Sequence, residues 1–175
     1  MDNSNQEFID DMSESDKIVL SIIANSPNIK STRLQKIALI VKAALDGKVE
    51  STHGAHLFGG FSDDIDESVN SLRSEGFLVY HNGNGFSINE DGKMLFQLLL
   101  KKEGSLESKV KEVVDLVDSL SDKQVTALTY KLFPQLTGNS LIKDEMSKIG
   151  KDVIIQSFDI NKIKKDSKDD IEKDN

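Results

Sequence analysis

Apolar positions in this chain recur mostly at helical spacing. Over residues 15–25, Ile18, Ile22 and Ile23 fall on one face, with Val19 and Leu20 beside them. Side chains three and four apart share a helix face, so the spacing predicts a helix. Pro27 ends it, because its ring disfavours helical backbone at Ser26. Leu34, Ile37, Ala38, Val41 and Leu45 form a second stripe, capped by Ser31 or Thr32 and stopped by Gly47. Thr32 and Gln35 have capping-box spacing. Residues 48–61 read as a loop. Ser62 caps a third helix that buries Ile65, Val69 and Leu72 and stops at Gly76. Residues 77–81 and 86–88 then read as two strands. Asn82-Gly83-Asn84-Gly85 joins them, a hairpin signal because both residue types accept positive φ. Asn89 and Glu90 start a fourth helix through Met94, Leu95, Leu98 and Leu99.

Beyond residue 105 the pattern is helical throughout. Leu106, Val110, Val113, Val117 and Leu120 are spaced 4-3-4-3. Ser121 and Gln124 form another capping box ahead of Val125, Leu128 and Leu132. Pro134 and Gly138 break the chain, and a last helix carries Ile142, Met146, Ile149 and Val153. Residues 1–14 lack periodicity and read as a disordered acidic arm. Residues 161–175, a Lys/Asp mixture, read as a disordered charged tail. The units expected between them are a domain over about residues 15–100 and a helical extension over about 105–160. The extension packs on that domain or forms a homodimer through its apolar seam, and the expectation favours the homodimer.

Helix, helix, helix, hairpin is the order of a winged helix-turn-helix. The predicted fold is therefore mainly α with a small β-hairpin wing, followed by a C-terminal helical extension. Within it stand Arg33-Leu34-Gln35-Lys36-Ile37, Leu57-Phe58-Gly59-Gly60-Phe61-Ser62, Leu72-Arg73-Ser74-Glu75-Gly76-Phe77 and Phe86-Ser87-Ile88-Asn89-Glu90-Asp91-Gly92. In these segments the chain resembles the SocA-like Panacea-domain and YwgA-like winged-helix families of archaea and bacteria. Gly60 departs from the pattern, since those families usually carry proline there. The resemblance implies a non-enzymatic regulator, transcription-regulator-like or antitoxin-like. The alternative is a protein-interaction adaptor that keeps the fold without binding DNA.

Composition narrows the chemistry. No cysteine is present, which excludes disulfides, thiol catalysis and Cys-ligated zinc. No apolar run approaches the ~20 residues of a membrane span, and the polar start Met1-Asp2-Asn3-Ser4 is unlike a secretory signal. A cytoplasmic protein without membrane contact is expected. The net charge is −8, unfavourable for non-specific attraction to phosphate. The charge is unevenly spread. Residues 18–61 carry five bases and two acids, whereas residues 62–76 carry five acids and one arginine.

This asymmetry sets the candidate sites. The third helix would be the groove-reading element of a DNA-binding winged helix. Its Asp63, Asp64, Asp66 and Glu67 would repel phosphate, so with Arg73 they are assigned to an interaction surface. Lys30, Arg33, Lys36 and Lys42 on the second helix are the candidate nucleic-acid contacts, with an ordinary solvated face as the plainer reading. His53 and His56 stand three apart but lack a third ligand, and the acids of residues 63–67 fit a helix dipole better than an ion. Gly83-Asn84-Gly85 lacks the third glycine of a dinucleotide fingerprint. Gly138-Asn139-Ser140 lacks the closing glycine of a nucleophile elbow. No catalytic residue, metal or cofactor is therefore expected, and the partner is DNA or protein.

Overall fold

The computed structural model describes residues 3–45 and 53–149. Its elements run α1 (Asn3–Asp11), α2 (Glu14–Asn25), α3 (Ser31–Leu45), β1 (Gly54–His56), β2 (Gly59–Phe61), α4 (Asp63–Ser74), β3 (Leu78–His81), β4 (Gly85–Ile88), α5 (Glu90–Lys102), α6 (Gly104–Val117), α7 (Asp122–Leu132) and α8 (Lys143–Ile149). A 3-10 turn at Pro134–Thr137 follows α7. The expected tail at 161–175 and Val153 lie outside the described residues.

The winged helix-turn-helix occupies α2 to β4. Antiparallel β3 and β4 pair Leu78 with Ile88 and His81 with Gly85. Ile29, between α2 and α3, adds a third line of pairing: its N–H donates to Phe86 O at 3.1 Å and Phe86 N–H returns the bond at 2.8 Å. Gly85 permits that approach. A Cβ there would stand 2.3 Å from Ile29 O, and its φ of +104° belongs to glycine. The wing is thus fastened to the start of α3.

Helix α3 is central. All eleven residues from Leu34 to Ala44 are buried, because α2, α6, α7 and β2 all pack around it. A helix covered on every side is apolar nearly all round, and only Gln35, Lys36 and Lys42 break the rule here. The expected outward basic face is corrected for the same reason: Lys36 and Lys42 are buried and Arg33 is half-buried.

Three further expectations are corrected. The acidic arm is helical from Asn3 to Asp11. It docks through fully buried Ile9 and buried Met12, with the Phe8 ring 4.9 Å from Phe77 and Asp10 paired with Lys102. Within the expected loop, residues 54–61 form a hairpin pairing Gly54 with Phe61 and His56 with Gly59. The seam expected to make a homodimer is used inside the chain: Val110, Val113 and Val117 are fully buried as α6 packs on α2 and α3. Each such side chain gains roughly 1.5–3 kcal/mol by leaving water, and the exposed flank of α2 and α3 lies within reach. One continuous core accordingly runs from Ile9 to Leu136.

Local signals explain the termini. Ser13 and Asp16 form a capping box for α2, and Ser121 and Gln124 form one for α7. Asn89 Oδ1 accepts from Gly92 N–H at 2.9 Å to start α5. No helix among the described residues is long and apolar enough to cross a membrane.

Candidate functional site

The four basic candidates part company. Arg33 sends its guanidinium to the end of α6, donating to Leu120 O at 2.7 Å and Val117 O at 2.8 Å, and pairs with Asp122 at 3.3 Å. It adds a second donor to Val117 O, which also accepts Leu120 N–H at 3.0 Å, and binds Leu120 O just beyond the helix, where a cation meets the negative end of the dipole. Lys42 pairs with Glu14 across the α2–α3 contact. Lys36 donates to Phe58 O and Gly60 O, both at 2.8 Å. Only Lys30 stays exposed.

Lys36 therefore positions the β1–β2 hairpin, and Gln35 assists it. Gln35 Nε2 donates to Ser62 O and Ser62 N–H donates to Gln35 Oε1, each at 3.0 Å. Thr32 and Gln35 consequently do not form the expected capping box, and Ser62 precedes α4 without a side-chain cap bond. His53, immediately ahead of β1, is buried. Desolvation pushes the Lys36 ammonium down to about 8. Desolvation, then the positive charges of Lys36 and Lys42, pushes the His53 imidazole down to about 4. His53 and His56 do not converge on one point: His56 is exposed on β1, its ring 5.2 Å from Phe61. Among the described residues no three His, Asp or Glu side chains gather as a metal site.

The secured hairpin presents an apolar tip in a segment whose pattern reads as loop. Phe58 is 51% exposed and Leu57 46%. Beside them Leu141, 73% exposed, donates its N–H to Leu57 O at 2.9 Å. The signal was available as a Leu-Phe pair between glycines, but nothing local says that the pair faces outward. Directly after β2, Asp63, Asp64, Asp66 and Glu67 are all exposed on α4, whose Ile65, Val69 and Leu72 face the core.

Arg73 separates from these acids. It lies at the far end of α4 and, with Lys30, Tyr80 and Phe86, lines an open cleft of about 430 Å³ between the start of α3 and the wing. The structure thus brings together one residue from each of the two expected surfaces. A second cavity, about 290 Å³, lies between α7 and α8 and is lined largely by apolar atoms of Ala127, Tyr130, Pro134 and Met146. No protein-family model, curated protein or solved structure matches the chain.

Proposed function

We propose that this protein is a non-enzymatic protein-interaction module with a winged-helix fold, docking through the hairpin tip Leu57–Phe58 with Leu141. The observation that carries the reading is the tip itself: two large apolar side chains left in water on a hairpin whose backbone is held by buried Lys36, with exposed Leu141 bonded beside them. Exposed apolar residues held together, rather than scattered, mark surfaces for partners. The acids of α4 follow within a few residues, so the fitting partner is a protein with an apolar groove and a basic border. Such a surface suits the adaptor reading, and it also suits an antitoxin-like protein acting by protein contact.

The DNA-regulator reading rests on the intact wing and helix-turn-helix. Against it stand the acidic exposed face of α4 and the internal bonding of Arg33, Lys36 and Lys42. The test combines retention on random duplex DNA at ~50 mM salt, where electrostatic binding is strong, with photo-crosslinking from position 58 in the full chain. Expected are no duplex retention and a basic partner whose capture is lost in both Leu57→Ser and Asp63→Asn/Asp64→Asn. Duplex retention, or capture unaffected by these changes, overturns the proposal.

A further inference from the structure

The cleft between α3 and the wing has a chemistry unlike the rest of this acidic protein. Lys30 and Arg73 line it from different elements, and among the described residues neither makes an ion pair. Two cations sharing one cleft repel each other, and a bound anion relieves that repulsion. Arg adds a planar fork suited to phosphate oxygens, and Lys adds a compact charge. The third feature is aromatic. Tyr80 is 50% exposed in the same cleft, and its ring packs against that of its cross-strand neighbour Phe86 at a centroid distance of 5.0 Å, the planes tilted by 54°. A half-exposed ring steadied by a neighbouring ring is a stacking platform. On the wing side Gly83 adds no side chain, and nothing lies within 4 Å of a Cβ built there.

We infer that this cleft binds a nucleotide, with Lys30 and Arg73 on the phosphate and Tyr80 stacked on the base. At about 430 Å³, the cleft lies in the lower part of the ~300–1,000 Å³ range of small-ligand pockets. The same chemistry comes from a free mononucleotide or from one residue of a single strand. The site is separate from the hairpin tip, so it stands or falls independently of the protein-interaction reading.

Titration of the full chain with adenosine 5′-monophosphate, adenosine, inorganic phosphate and a ten-residue oligo-dA tests it, read by calorimetry. Adenosine 5′-monophosphate should bind more tightly than either adenosine or phosphate alone. Tyr80→Ala should weaken it roughly tenfold, as loss of one stacking contact does, while Tyr80→Phe keeps it. Lys30→Gln with Arg73→Gln, both at exposed positions, should weaken it at least as much without altering circular dichroism. Tighter, salt-sensitive binding of oligo-dA identifies a strand as the source, and equal binding identifies the free nucleotide. No binding of adenosine 5′-monophosphate or oligo-dA at millimolar concentration overturns the inference. So does phosphate binding as tightly as the nucleotide with no effect of Tyr80→Ala.

Discussion

Gln35 and Ser62 exchange two hydrogen bonds, each of 3.0 Å, with both residues buried. The side-chain amide of a helix thereby pairs with main chain as a neighbouring strand would. It fixes the entry to α4 from a residue 27 positions earlier. Replacing Gln35 by Leu leaves the buried Ser62 N–H unpaired, at a cost of roughly 1–3 kcal/mol, while Ser62 O keeps only the Asp66 N–H at 3.3 Å. Gln35→Leu should therefore lower the urea midpoint clearly, and Gln35→Glu should lower it too, because a carboxylate then faces Ser62 O. An unchanged midpoint in both variants would falsify the clamp.

Arg33 makes a second long-range clasp, onto the carbonyls that end α6. Arg33→Met should cost about 2–3 kcal/mol, the scale of hydrogen bonds to a charged group. Asp122→Asn should change stability by less than about 1 kcal/mol, because exposed ion pairs contribute little. Equilibrium denaturation of the two variants separates the contributions. If Asp122→Asn costs as much as Arg33→Met, the ion pair rather than the carbonyl bonds holds α6.

Acid should loosen the protein through His53. The unfolded imidazole takes up a proton as pH falls through 6.5, the folded one only near 4. Between those values the unfolded state binds more protons, so stability rises with pH and is lost on acidification, with a slope of at most about 1.4 kcal/mol per pH unit. Lys36 acts in the same direction at the alkaline end. Its unfolded form keeps the proton to 10.5 and its folded form to about 8, so stability gains between them. Urea midpoints measured across pH 4–6.5 should rise, and His53→Gln should flatten the rise. A slope unchanged in that variant assigns the acid loss to the carboxylates instead.

The two wing glycines should behave differently. Gly83→Ala meets open space and carries only the strain of φ +81°, about 1–2 kcal/mol. Gly85→Ala adds a collision with Ile29 O and should break the Ile29–Phe86 pairing. Amide exchange at Ile29 and Phe86 is the readout, accelerated in Gly85→Ala and near wild type in Gly83→Ala. Equal protection in both variants would show that the collision is absorbed by a backbone shift.

Much of this fold is written in short-range terms. The stripe of Ile65, Val69 and Leu72, the Asn/Gly turn and the Ser121–Gln124 box each need only neighbouring residues, and each forms as expected. What stayed hidden depends on distant partners. The two apolar residues in α1, Phe8 and Ile9, show no period, yet Phe77 and α5 give them a place to dock. Gly59 and Gly60 look like loop residues, but their missing side chains let β2 lie against Tyr130, Leu39 and Leu136. Lys36 and Lys42 look like solvated charges until the β1–β2 hairpin closes over Lys36 and Glu14 of α2 meets Lys42. Eleven successive positions with only three polar residues hint at that burial, which a single-face reading of the stripe overlooks.

The placement of α6 and α7 against α3 bears on how the protein is made. A nascent chain that has reached residue 100 already carries the winged-helix segments, but Ile37, Leu39 and their neighbours still lack the cover supplied by residues 110–136. Their burial waits on the synthesis of residues 110–136, and until then the emerging polypeptide presents a sticky flank to its surroundings. Chains interrupted before α6 should be substrates for chaperones and proteases rather than small working domains. A product truncated before α6 should therefore not accumulate beside chains that carry α6 and α7.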